Sequence, residues 1–332
     1  MLKLYILTIT SFLTIMTVTI FAHADSPAIS TNNCSKNRDI ENKNSIYIES
    51  MDRYLLNDEI NVFSSQCQLL RKNPNYGKDG YYNNQEWLPT GDAYLTDNSN
   101  IADRINEKLT IVAAAHELSF DMNVYGGENS YRAIDFNEKV KIKCNGIIFN
   151  ANINKYITAE DSEGQYSAQN DVSFLSLDQS EVLKINDAIS TKKIMPMRLA
   201  GLPVSMNAEP ELQRFDKPET VKFLQNHELI LVSRANQGNE PTDSRLFVTK
   251  CSNPQISYGV ETVTFPCAPK KDMSGGVLVY SKKTDKGVGE ILQDKDGHIL
   301  VSGHLSGGSD INNTEEFVLM RYDDIRTAMC KN

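Results

Sequence analysis

The 332-residue chain carries 34 Lys plus Arg against 43 Asp plus Glu, a formal charge of −9, with 40% apolar and 23% charged residues. This is ordinary globular composition and excludes a largely disordered chain. The acidic balance argues against general nucleic-acid binding and against a polybasic membrane patch, both of which need clustered cations.

Residues 1–24 (MLKLYILTITSFLTIMTVTIFAHA) hold one charge, Lys3, then an uncharged stretch from Leu4 to Phe21, then Ala22-His23-Ala24 with small residues where a signal peptidase reads. The pattern predicts a secretory signal peptide. A retained anchor is the rival, but six Thr or Ser within the 18 uncharged residues weaken it. Cleavage leaves 33 basic against 43 acidic residues and no second long apolar run, hence a soluble secreted or periplasmic protein with no stable membrane association. The six cysteines (Cys34, Cys67, Cys144, Cys251, Cys267, Cys330) all follow the cut. An even count in an oxidising compartment predicts up to three disulfides, and the 15 possible pairings stay open.

Residues 25–86 are polar, with a run of turn formers from Asn73 to Asn84, and read as an N-terminal extension or prosegment. Within them Ile46–Phe63 is a weak candidate helix. From Trp87 to the end, residues 87–332, short β-rich runs recur between Gly, Asn and Asp turns: Leu109–Ala113, Val140–Lys143, Gly146–Phe149, Val172–Leu177, Glu228–Ser233, Leu246–Lys250, Gly276–Tyr280 and His298–Ser302. Many short strands predict an all-β barrel or sandwich pair. Asp296-Gly297 reads as a hairpin turn, and Thr314–Met329, with Phe317, Met320, Ile325 and Met329, as a closing helix.

Three local patterns carry chemistry. In the first, Leu109–Ala115 runs from a β-rich segment into small residues and then His116, one of four histidines left after the signal. Small residues let a turn pack closely and fix a ring at a strand end. In the second, Asp171 opens the alternating run Val172–Leu177, which buries a carboxylate that then needs a partner such as an imidazole N–H. In the third, Ser274-Gly275-Gly276 enters an apolar strand, where glycines permit close approach and unusual backbone angles. A serine hydroxyl becomes a nucleophile only when a base takes its proton. Taken singly, each pattern also fits an ordinary loop or turn.

The order His, Asp, Ser, with separations of 55 and 103 residues, is that of the chymotrypsin triad. The blocks Ala113–His116, Asn170–Leu177 and Ser274–Gly276 resemble the three signature blocks of trypsin-like serine peptidases, over a span from about Thr90 to Met329. The resemblance implies a double six-stranded β-barrel with the site in the cleft between barrels. Glu117 after the histidine, and Cys267 seven residues before Ser274, resemble the secreted bacterial branch that includes glutamyl endopeptidases and exfoliative toxins. That branch implies a Cys251–Cys267 disulfide, worth about 3 kcal/mol by chain entropy. The block Val301–Gly308 resembles the strand walling the primary specificity pocket, with His304 where glutamyl-specific relatives bind a substrate carboxylate.

The resemblance thus implies a serine endopeptidase acting on protein or peptide substrates without metal or cofactor. Ser274 would be the nucleophile, His116 the general base and acid, and Asp171 its orienting carboxylate. The backbone N–H groups of Asp272 and Ser274 would form the oxyanion hole. His304, Leu305, Ser306 and Gly307 would bind substrate, with an acidic P1 preference. Asp272-Met273 replaces the usual Gly-Asp or Gly-Asn before the serine, which points to a second expectation: a catalytically impaired homologue that binds peptides or proteins in the same cleft. No zinc-peptidase motif, calcium loop or phosphate-binding glycine loop is present.

Overall fold

A computed structural model describes residues 46–48, 53–54, 61–78, 84–97, 109–119, 137–157, 171–199, 222, 225–234, 246–251, 255–256, 263–266, 274–283, 289–294, 296–311 and 314–321, with the backbone alone for 46–48, 53–54, 154–157, 255–256, 263–266, 289, 306–311 and 314–321. The chain is all-β, as expected. Strands β3 (Gln66–Lys72), β4 (Trp87–Asp97), β5 (Leu109–Ala113), β6 (Lys139–Cys144), β7 (Ile147–Ile157) and β8 (Val172–Leu177) close into a six-stranded barrel in the order β3-β4-β5-β8-β7-β6. Strands β5 and β8 match their expected bounds.

Alternation along these strands explains the layering. Residues from all six strands, among them Leu69, Leu95, Ile111, Ala113, Ile142, Phe149 and Leu175, fill one apolar cluster inside the barrel. Their neighbours on the other face, Tyr94, Val112, Val172 and Phe174, pack into a second cluster with Ile230, Val232, Val248, Val277, Val279 and Val301. A period of two with both faces apolar is what a barrel wall pressed against another sheet requires.

That other sheet has 11 strands. Its spine is β12 (Gln255–Ile256), β13 (Val263–Pro266), β17 (Thr314–Arg321), β16 (Leu300–Ile311), β14 (Val277–Lys282), β10 (His227–Ser233), β11 (Phe247–Cys251) and β2 (Arg53–Tyr54), with β1 (Ile46–Ile48), β15 (Gly289–Ile291) and β9 (Arg198–Leu199) attached beside it. Among the described residues the first sheet closes into a ring of six, and the second is this larger sheet.

Two sequence expectations are corrected, those for Ile46–Phe63 and for the start of Thr314–Met329. Within the expected extension 25–86, β1 pairs with β15, β2 pairs with β11, and β3 is an integral barrel strand. Ile46–Phe63 forms two short strands and a 3-10 turn (Asn61–Phe63) in place of a helix. Thr314–Arg321, the first part of the expected helix Thr314–Met329, is strand β17 between β13 and β16, while 322–329 lie outside the described residues. Its apolar run Phe317–Met320 fits either state locally, and the pairing partners decide. Conversely, Gln179–Ser190 is a helix, following a four-residue one at His116–Ser119; these are α2 and α1. Helix α2 buries Ile185 and Ala188, and its Asp178-x-x-Glu181 start was a legible N-terminal signal.

The Asp296-Gly297 turn is present: Gly297 has φ +86°, its N–H donates to the Asp294 carbonyl, and Gln293 bridges Ile299. Cys67 and Cys144 sit opposite each other on β3 and β6 and form a disulfide across 77 residues, a pairing the sequence left open. Cys251 is also disulfide-bonded; Cys267, its expected partner, lies outside the described residues. Residues 1–24 lie outside them too, and no helix among the described residues is long and apolar enough to cross a membrane.

Candidate active site

Strands β5 and β8 are antiparallel neighbours with Ala113 opposite Ser173. The exit of one therefore lies beside the entrance of the other, and His116 and Asp171 meet there although 55 residues separate them. Ser173 Oγ locks the pair by donating to the Ala113 carbonyl at 3.1 Å. Ala114 and Ala115 are buried, so the chain turns tightly into α1. Asp171, 0% exposed, accepts twice from one residue: Oδ1 from the His116 backbone N–H at 2.8 Å and Oδ2 from Nδ1 at 2.7 Å. This fixes the ring's position and tautomer together.

The other ring nitrogen also faces a carboxylate. His116 Nε2 lies 3.0 Å from Glu117 Oε1. An imidazole that meets an ionised carboxylate at each nitrogen donates at both, which only the imidazolium does. Burial works against a charged ring, but the Asp171 and Glu117 carboxylates outweigh it and hold the His116 pKa well above its usual value. Arg71, 0% exposed on β3, anchors α1 from beneath: Nη1 donates to the Glu117 carbonyl at 3.2 Å, while Nε and Nη2 grip Glu138 at 2.8 and 3.0 Å.

Ser274 comes from the other sheet. Its carbonyl accepts the Asp92 N–H of β4 at 2.9 Å. Gly275 follows with φ +80°, and a Cβ there would stand 2.2 Å from the Asp92 carbonyl oxygen, so only glycine fits. Gly275 N–H donates to the Leu305 carbonyl and Leu305 N–H to the Gly276 carbonyl, both at 2.8 Å. The serine turn is thus pinned to β4 on one side and to β16 on the other. Two short paths of contact connect it to His116. One runs through Glu117, which lies against Gly91, to the adjoining Asp92. The other runs through Asp171 to His304 and the adjoining Leu305.

Two substrate-binding expectations need correction. His304 is 0% exposed; Nε2 lies 2.9 Å from the Asp171 carbonyl oxygen and Nδ1 3.0 Å from the Tyr94 hydroxyl. Burial lowers its pKa, so it is a neutral support behind Asp171 and does not present a cation to substrate. Leu305 has both backbone polar groups engaged by Gly275 and Gly276 and cannot pair with an added strand. Gly307 is paired with Val318, next to a register shift that contains Ser306. Asp272 and Met273 lie outside the described residues.

Further buried groups tie the sheets together. Asp92, 0% exposed, has its pKa raised to about 7 by burial, against the opposing pull of Arg234. Its Oδ2 accepts the Arg234 N–H at 2.7 Å, and the Arg234 guanidinium reaches back to the Gln66 carbonyl of β3. Farther along β4, Asp97 accepts Arg198 Nη2 at 3.0 Å, while Arg198 Nη1 donates to Asp294 and, at 2.8 Å, to Asp296. Asp294, Asp296 and His298 are the group among the described residues with spacing for a cation, and the Arg198 guanidinium already serves the two carboxylates. The sequence reading missed Arg71, Gly91, Asp92, Tyr94, Arg198 and Arg234. Their signal is polar residues within strands, legible only as possible burial needing a partner.

No protein-family model matches the chain, and no curated protein is similar to it in sequence. Among solved structures, it is similar to a thermostable serine protease from an extremophilic microorganism (11% identity, 82% of this chain, 100% of that one, TM-score 0.42). It is also similar to the human heparin binding protein (11% identity, 84% and 94% covered, TM-score 0.45) and to a scabies mite inactivated protease paralogue (10% identity, 82% and 96% covered, TM-score 0.42).

Proposed function

We propose that this protein is an exported, chymotrypsin-like serine endopeptidase that hydrolyses peptide bonds in protein or peptide substrates. The observation that carries the reading is the double acceptance by buried Asp171 from the His116 backbone and ring. A carboxylate placed this way orients an imidazole whose second nitrogen then works as base and acid. The seam position of Ser274 supports it as the nucleophile, and the disulfides at Cys67–Cys144 and Cys251 support export into an oxidising compartment.

In this reading Ser274 Oγ attacks the substrate carbonyl carbon as its proton passes to His116 Nε2. The C–N bond breaks as Nε2 returns that proton to the leaving amine, which leaves an acyl ester on Ser274. Water attacks the ester, gives a proton to Nε2, and the carboxylic acid leaves as Oγ regains that proton. Backbone N–H groups at Asp272 and Ser274 would hold the oxyanion, and Ser306 and Gly307 would line the substrate path. Because the Asp171 and Glu117 carboxylates hold the His116 pKa well above its usual value, its base form develops at correspondingly higher pH, and activity is expected to rise with pH through that range. Acidic P1 preference rested on His304 and is not part of the proposal, since that ring is enclosed. A fluorophosphonate probe tests the reading: labelling that disappears in Ser274→Ala is expected, and failure to label folded, processed protein, wild type and Glu117→Gln alike, would refute it.

The Glu117 carboxylate on Nε2 favours a second reading, a cleft that binds peptide without cleaving it. Peptide binding with no acyl-enzyme at any pH would select it.

A further inference from the structure

Glu117 is unlike an incidental neighbour of His116. Its side chain is about one-tenth exposed, and its backbone is held by the guanidinium of Arg71. It lies in a cradle shaped by a missing side chain: a Cβ on Gly91 would come within 2.6 Å of Glu117 Cδ and 2.7 Å of Cγ. Any residue but glycine at that point of β4 would push the carboxylate out. The seat directs Oε1 at His116 Nε2, 3.0 Å away, and Nε2 is the one nitrogen through which a base at this position can reach a nucleophile, because Nδ1 is committed to Asp171. Among the described residues, Asp171 and Glu117 face the ring, both acidic, with His304 behind Asp171.

We propose that Glu117 is a built-in latch: in the resting protein its carboxylate occupies the ring nitrogen that must face Ser274, and the site becomes competent only when that carboxylate leaves the Gly91 cradle. This rests on the peptidase reading above. The latch explains how a base, its orienting acid and a serine turn can be fully assembled while the base remains protonated and turned to an internal partner. An occupant of the cleft that draws Glu117 away, or a peptide cation that pairs with it, would free Nε2.

The test compares fluorophosphonate labelling of the wild type, Glu117→Gln and Gly91→Ala at pH 7, alongside imidazole NMR of His116 in a Ser274→Ala background with and without Glu117→Gln. Glu117→Gln removes the charge and keeps the shape; Gly91→Ala keeps the charge and removes the seat. Both variants are expected to label about tenfold faster than wild type, and the His116 midpoint to fall by about one pH unit in Glu117→Gln. Should Glu117→Gln not fold, Gly91→Ala carries the comparison, because the atoms its methyl meets belong to one movable side chain. Ser274-dependent labelling equally fast in all three proteins overturns the latch and leaves the peptidase standing. So does a His116 midpoint that ignores Glu117. Absence of labelling in all three folded proteins removes the peptidase reading and the latch with it.

Discussion

The two sheets contribute to the site in different ways. The first barrel is closed, carries a disulfide across β3 and β6, and holds His116 and Asp171 at the ends of adjacent paired strands. The second sheet is larger, and it supplies Ser274 from a glycine turn held by backbone bonds to β4 and β16. His116 and Asp171 are therefore held together within one barrel, whereas Ser274 is brought to them across a seam. The lesson is that the His–Asp half depends on local strand pairing, and the serine half depends on whatever keeps the two sheets in register.

Variants in each region separate these dependencies. The largest effect belongs to the barrel half. Asp171→Asn keeps the shape but presents the wrong hydrogen-bonding partner to Nδ1, and steady-state turnover is expected to fall about 10⁴-fold. A loss under tenfold would show that Asp171 does not orient the base.

Next comes the seam. Arg198→Met removes the guanidinium bonded to Asp294, which is 1% exposed, and leaves that carboxylate with the His298 ring 3.4 Å away. Breaking one side of a buried pair typically costs about 3–5 kcal/mol. Urea unfolding should register a drop of that order, and a change below about 1 kcal/mol would show that the ionic cluster does not hold the sheets together.

The smallest effect is a pH dependence at the same seam. Asp92 keeps its proton in the folded state up to about pH 7 but would release it near 3.8 when unfolded. Between those values the native state binds more protons, so this group's contribution to stability falls as pH rises, by at most about 4 kcal/mol over the window. Asp92→Asn lacks the titration. The wild type should lose stability relative to that variant between pH 4 and pH 8, and parallel pH curves would rule out a buried, late-titrating Asp92.

How much of this was legible in the sequence follows from the same contrast. Val172–Leu177 and Leu109–Ala113 announced themselves by period and composition, and the residues at their ends pointed to the site. Strand β3 did not, because Gln66, Gln68 and Arg71 look like surface residues. All three are buried, with Arg234, 168 residues on, serving the Gln66 carbonyl and Glu138, 67 residues on, serving the Arg71 guanidinium. His304 was legible as unusual but not as enclosed: only the fold places Tyr94, 210 residues away, against its Nδ1. The Cys67–Cys144 pairing depends on which strands meet, which spacing along the chain does not reveal. Glu117 stood out in the sequence as the residue after His116, yet its reach to Nε2 depends on a glycine in a different strand.

The position of Cys67–Cys144 carries one more consequence. In the circuit β3-β4-β5-β8-β7-β6, the contact of β6 with β3 joins the last strand in the order to the first. Sulfur oxidation there certifies that the ring has met its own beginning, and it removes about 4–5 kcal/mol of chain freedom from the opened form across the 77-residue span. A reducing environment would leave that junction to hydrogen bonds and packing alone, so the stability of the half that holds His116 is expected to follow the redox state of Cys67 and Cys144.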